Sequence, residues 1–215
     1  MVIVEVFDQF MWLPFLVAIT ALTLTPGVDT VLVMRNSARG GGTDGLATSL
    51  GICLGLYLHA FISAAGLSAI LLGSAELFLL LKIAGAGYLI YLGIQSLRSA
   101  WANKSLRVGS PSVVLKVPLT QSLREGFLSN VLNPKPIVFY MAFLPQFINP
   151  DYSPVLQAML MATVHFVIGM LWQGALALTV SKARAFLEKP LVSRLMDSIT
   201  GVVLVGFGVK LGASQ

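Results

Sequence analysis

The stretch "AITALTLTPGVDTVLVM", residues 18–34, is apolar enough to lie inside a lipid bilayer, yet it carries a Pro-Gly pair and a carboxylate, Asp29. Proline lacks a backbone donor, glycine is a poor helix former, and an ionised carboxylate is costly to bury. The segment is either no membrane helix or a broken one with a task. The rest of the chain decides. Of 215 residues, 56% are hydrophobic and 11% charged, with a mean hydropathy of +0.85; soluble domains carry roughly 25% charged residues. Six apolar stretches, 16–35, 46–72, 77–97, 124–147, 154–180 and 195–212, each come near the ~20 residues that cross the hydrocarbon core. The fold expected is an all-α polytopic membrane protein with six transmembrane helices in a single membrane domain, residues 1–215.

The net charge of +5 does not point to nucleic acid, because the basic residues are spread over short loops between spans. Arg35 and Arg39 follow the first span. Arg98, Lys104, Arg107, Lys116 and Arg124 separate the third from the fourth, and Lys182, Arg184, Lys189 and Arg194 the fifth from the sixth. The connections near Gly73–Glu76 and Asn149–Ser153 have no basic residue. The positive-inside rule then puts the three basic loops in the cytoplasm and both termini outside. Trp12 and Trp101 fall at span ends, where aromatic belts form. The first fifteen residues contain Glu5 and Asp8 but no Lys or Arg, unlike the basic start of a secretory signal, so no cleavage is expected. Cys53, a single cysteine, allows no intramolecular disulfide and reads as a small buried apolar residue.

The longest loop, 98–123, divides the six spans into residues 1–97 and 124–215. The halves resemble each other: "LTPGVDTVLVM" (24–34) lies against "LNPKPIVFYMA" (132–142), and "GYLIYLG" (87–93) against "VVLVGFG" (202–208). Three spans per half is an odd number, so the second repeat must be inverted relative to the first. Inverted repeats with discontinuous helices recur in transporters. Thr25 is a suitable N-cap with Pro26 at the first helical position, Gly27 admits another backbone, and Asn133–Pro134 repeats the cap-plus-proline pattern. Each restart would expose unpaired N–H groups and partial positive charge, which attract an anion such as an amino-acid carboxylate. The plainer alternative is a proline kink satisfied by neighbouring helices.

Charged residues deep in a membrane default to a functional hypothesis. Glu76, Lys82, Asp197 and Lys210 lie near span ends and read as interfacial anchors. Asp29 and Lys135 lie deep, one beside each break. Lys135 falls in the first turn of a restarted helix, where the dipole disfavours a cation, so Asp29 or a bound carboxylate should compensate it. His59 and His165 occupy the repeat-equivalent second and fifth spans and are proton-relay candidates with Asp29, or else neutral interhelical contacts. Their spacing does not suggest a metal site. Gly51 and Gly55, like Gly85, Gly87 and Gly93, read as helix-packing positions.

"TPGVDTVLVMRNSARGG", "GAGYLIYLG", "GFLSNVLNPKP" and "LPQF" resemble the lysine-exporter (LysE/RhtB) family, in order, from about residue 10 to 210. Val28 stands where the family often has a second proline, and Pro136 where a small residue is commoner. The resemblance implies a six-span bacterial inner-membrane exporter of amino acids or related metabolites, driven by the proton gradient. In that role Thr25, Pro26, Gly27, Asn133 and Pro134 would shape the two half-helix ends that hold the substrate carboxylate. Asp29 would hold the ammonium group or a coupling proton, and Lys135 would balance its charge. No cofactor or metal is expected. The partners expected are the amino acid, protons and the lipid bilayer, with a homodimer left open. The alternatives are a metal-ion or other cation exporter, which the scarcity of deep acidic residues disfavours, and a membrane-embedded enzyme built on Asp29, His59 and His165, for which no H-E-x-x-H or similar cluster is present.

Overall fold

The computed structural model describes residues 12–73, 75–102, 117–149, 151–179 and 189–213. Glu5 and Asp8, the linker residues Lys104, Arg107 and Lys116, and the loop residues Lys182 and Arg184 lie outside the described residues, as do the side chains of Glu76 and Lys82. All secondary structure in the described residues is helical. The first apolar stretch forms two helices, α1 (Trp12–Leu24) and α2 (Val28–Gly40), bent by 51° at the Thr25–Gly27 break. The long helices α3 (Gly42–Gly73) and α4 (Ala75–Trp101) follow. The fourth stretch is also broken, into α5 (Leu119–Leu132) and α6 (Pro134–Ala142), and "LPQF" forms a 3₁₀ turn over Leu144–Phe147. Helices α7 (Pro154–Leu178) and α8 (Pro190–Ala213) complete the chain.

Among the described residues, three helical segments are long and apolar enough to cross a membrane: Gly42–Gly66 of α3, α7 and α8. The bent pair α1–α2 supplies a fourth crossing if it is one span.

Local chemistry explains the element ends. Gly41 turns the chain from α2 into α3 at φ +83°, a conformation glycine adopts without the Cβ penalty. Helix α7 opens with a Ser153 cap that accepts from the Leu156 amide at 3.4 Å and with Pro154 at its first position, where the missing donor costs nothing.

Helix α3 packs between α5 and α7, and α8 runs along α4. Glycines set the first of these distances: a Cβ on Gly51 would lie 2.0 Å from the Leu123 carbonyl oxygen, and one on Gly126 would lie 2.1 Å from that of Thr48. Gly93 and Gly201 do the same between α4 and α8. Above the breaks, α6 and the 3₁₀ turn carry an aromatic core. The Phe143 ring centre lies 4.7 Å from that of Phe139 and 4.8 Å from those of Phe147 and Phe207, in tilted and edge-on contacts, and Phe15 of α1 meets Phe147 edge-on at 5.5 Å. These rings fix α6 against α1 and α8, which in turn sets the position of the second break.

Candidate functional site between the two helix breaks

At the first break the Thr25 hydroxyl does not cap the helix that follows. It donates back to the Ala21 carbonyl at 2.6 Å and contacts the Thr200 hydroxyl of α8. The N-cap of α2 is Gly27, in extended backbone and without a side-chain cap, and Pro26 lies in the break before the helix. The expected Thr25–Pro26 start is thereby displaced by two residues, because the threonine hydroxyl satisfies the last turn of α1 instead. Asp29 is the second residue of α2, in its first turn, where a carboxylate suits the positive helix end. The amides of Asp29 and Thr30 have no hydrogen-bond partner among the described residues.

The second break is a single residue, Asn133. Its side chain accepts from the Lys135 amide at 3.0 Å, and Pro134 takes the first helical position. This restart offers no free amide in its first three residues. Pro134 and Pro136 have none, and that of Lys135 is used by Asn133. The expectation of unpaired N–H groups at both restarts therefore holds at α2 and fails at α6, and Pro136 is part of the reason.

Each break is completed by the other half of the chain. Asp29 reaches across to the end of α5, where Oδ1 accepts from the Ser129 hydroxyl at 2.8 Å. Its Oδ2 accepts from the Asn130 and Asn133 amides at 3.0 and 3.2 Å. In the other direction, Lys135 Nζ donates to the Leu22 and Thr25 carbonyls at 2.8 and 3.0 Å, so the ammonium sits at the negative end of α1. The described ion pairs are Arg35–Glu125, Arg39–Asp44 and Arg39–Glu125; Asp29 and Lys135 do not form one. The ammonium's hydrogen-bond partners are thus α1's terminal carbonyls, which lack partners within their own helix.

These groups surround a cavity of about 50 Å³ that opens to the outside. Of the candidate site residues read from sequence, Thr25, Gly27, Asp29, Asn133, Lys135 and His165 line it, as do Cys53 and Pro136, while Pro26 and Pro134 shape the breaks beside it. His59 does not line it and instead faces the Asn130 carbonyl through Nε2 at 3.1 Å. His165 Nδ1 bonds to the Tyr140 hydroxyl at 3.0 Å, and the two rings stack. Sequence reasoning missed Ser129, Asn130 and Gln173. The first two were legible as a polar pair three and four residues before Asn133, on one helix face. Gln173 had no local signal. Among the described residues no group of three or more His, Cys, Asp or Glu side chains is placed to hold a metal ion.

At the far end of α2, beyond the apolar stretch that closes at residue 35, Arg39 donates to both Asp44 oxygens at 3.0 and 3.1 Å and to both Glu125 oxygens at 3.2 Å. The Asn36 amide also donates to Glu125, at 2.9 Å, and Ser122 bonds to Asp44. Hydrogen bonding to Asp44 holds the Arg39 pKa above its ordinary value against the opposing effect of burial, with Glu125 contributing less. The clamp ties α2, α3 and α5 together about ten residues, or roughly 15 Å of helix, from Asp29. Arg35 and Arg39, read from sequence as orientation signals, are thus also structural.

The family described as LysE type translocator matches residues 20–215. The chain is similar to "Uncharacterized membrane protein YrhP" of Bacillus subtilis, 34% identical over 90% of this chain and 94% of the relative. It is 28% identical to the "Homoserine/homoserine lactone efflux protein" of Salmonella typhimurium, over 95% of this chain and 97% of the relative. It is 26% identical to the "Leucine efflux protein" of Salmonella choleraesuis, over 94% of each. No solved structure matches the chain. The chain belongs to the LysE type translocator family, and is a membrane transporter and not an enzyme.

Proposed function

We propose that the protein is a secondary active exporter of L-amino acids across the bacterial inner membrane, coupled to protons. In this reading six crossings, α1–α2, α3, α4, α5–α6, α7 and α8, form two inverted three-helix repeats. Both termini lie outside and the 98–123 loop is cytoplasmic. The observation that carries it is the reciprocal exchange at the breaks: the acid beside the first is held by the end of α5, and the cation beside the second by the end of α1. A pair of repeats meeting at the midplane accounts for that exchange, and the relatives named for efflux of homoserine/homoserine lactone and of leucine favour an amino-acid or closely related cargo.

The substrate carboxylate binds at the open N-terminus of α2 and to Lys135. An ammonium has three donors, of which Leu22 and Thr25 take two. Gly27 lies beside this ammonium: a Cβ there would be in ordinary contact with Lys135 Nζ, at 3.9 Å. The substrate ammonium lies toward Asp29, whose carboxylate has about four acceptor positions and uses three of them. Exchange of that ammonium for a proton at Asp29 would couple efflux to proton entry. The proton role falls to Asp29 and not to His59 or His165, whose bonded nitrogens face a carbonyl and a phenol. Exchange of access comes from one repeat rocking against the other around the site.

Counterflow in proteoliposomes tests the reading. The purified protein should exchange at least one labelled neutral L-amino acid, with net efflux faster when the receiving side is acidified. Absence of counterflow for every common amino acid would sink it.

A further inference from the structure

His165, Gly169 and Gln173 recur at four-residue intervals on α7 and share the face that lines the cavity. His165 is occupied by Tyr140. Gln173 is 8% exposed, and its Oε1 is buried with no hydrogen-bond partner among the described residues. An unmet amide oxygen is unfavourable in a buried site, so its presence in a cavity wall calls for a ligand that supplies the donor. The other unpartnered amide oxygen around the cavity, Asn130 Oδ1, is wedged against Gly55, where a Cβ would meet it at 2.6 Å. It belongs to the side chain whose amide already holds Asp29.

We propose that Gln173 determines specificity, its Oε1 accepting a hydrogen bond from a donor on the substrate side chain, so that the favoured cargo is a neutral L-amino acid with a hydroxyl or amide side chain. The proposal rests on the carboxylate and ammonium placement given under Proposed function. The α3 segment around Cys53 and Gly55 fixes the level of the charged groups. Asn130, which holds Asp29, packs on Gly55, and Gly169 packs on Cys53 so closely that a Cβ there would lie 3.0 Å from the Cys53 sulfur. From Gly169 to Gln173 is four residues, about 6 Å along the helix. That distance matches a side chain of two to four bonds beyond the substrate Cα. Asp29 and Lys135 are the lining residues with a formal charge, and both are engaged by the substrate's own charged groups. A charged substrate side chain would therefore be desolvated without a partner, which disfavours lysine-like or glutamate-like cargo.

The test is competition counterflow with the full-length protein in proteoliposomes, using pairs that differ in the donor but scarcely in shape: threonine against valine, and glutamine against methionine. A site that hydrogen-bonds its substrate rejects the analogue lacking the donor. The wild type should favour threonine and glutamine by at least about tenfold. Gln173→Met should bring both ratios to one or invert them, and Gln173→Glu, which keeps an acceptor oxygen at the same reach, should retain the threonine preference. A wild type that does not discriminate, a Gln173→Met protein with unchanged ratios, or a folded Gln173→Met protein that exchanges neither member of a pair would overturn the proposal while leaving amino-acid export standing. A wild type that exchanges no amino acid overturns both.

Discussion

Lys135→Met removes an ammonium but keeps most of the side chain's length and apolar bulk, and its cost can be worked from the contacts. Two charge-assisted hydrogen bonds are lost, to the Leu22 and Thr25 carbonyls. Bonds to a charged group contribute roughly 1.5–3 kcal/mol each. The thioether offers α1's terminal carbonyls nothing in return. We expect a destabilisation of about 4 kcal/mol, in the lower half of the sum of the two bonds. For a chain of this length that lowers the melting temperature by about 8–16 °C at roughly 2–4 °C per kcal/mol. Asp29→Asn should cost less, about 1 kcal/mol, because the unpartnered Asn130 Oδ1 can accept from the new amide once Asn130 flips. Since Asp29 and Lys135 do not touch as an ion pair, the double variant should be no more stable than Lys135→Met. A directly neutralising pair would instead show coupling of a few kcal/mol. Tryptophan-fluorescence melting in detergent over all four corners of the cycle measures this. A Lys135→Met protein melting within about 2 °C of wild type, or a double variant more stable than Lys135→Met, would refute the reasoning.

Asp29→Asn should insert and fold but lose acid-driven efflux, whereas His59→Gln, which keeps a donor for the Asn130 carbonyl, should retain it; vesicle efflux with the opposite ranking would move the proton role to the histidine. Gly126→Ala forces a Cβ to within 2.1 Å of the Thr48 carbonyl oxygen, while Gly66→Ala meets nothing within 4 Å. Size-exclusion profiles should show loss of folded protein for the first and not the second, and equal yields would contradict the packing of α3 on α5. Cysteine labelling in whole cells, in a Cys53→Ala background, should reach position 215 from outside and positions in the 98–123 loop only after permeabilisation. The reverse pattern would remove the topology and the inverted repeat together.

Both helix breaks were legible in sequence because their cause is local. Pro26–Gly27 and Asn133–Pro134 interrupt apolar runs wherever they occur, and Asn133 caps through the Lys135 amide two residues on. The partners of the charged groups were not legible, because they are backbone atoms and amides brought together by packing. The Leu22 and Thr25 carbonyls carry no signature in the letters "LTLT", and no spacing rule links them to Lys135, which is 113 residues beyond Leu22. The direction of the Thr25 hydroxyl depends on Thr200 of the last helix. Pro136 was legible as an unusual residue, but its consequence appears only when the Lys135 amide is seen to be taken. The clamp of Arg39, Asp44 and Glu125 was hidden for a similar reason: the basic residues fitted a loop-charge rule, and the two acids lie 81 positions apart in the chain.

In the proposed binding mode, Lys135 and the start of α2 hold the substrate carboxylate while Asp29 faces its ammonium. Calorimetric titration of the purified protein with a transported L-amino acid, its methyl ester and its N-acetyl derivative tests this most directly. The free amino acid should bind, both derivatives should fail to bind, and Lys135→Met should abolish binding of the free amino acid. Binding of the ester as tight as that of the free acid would contradict this mode.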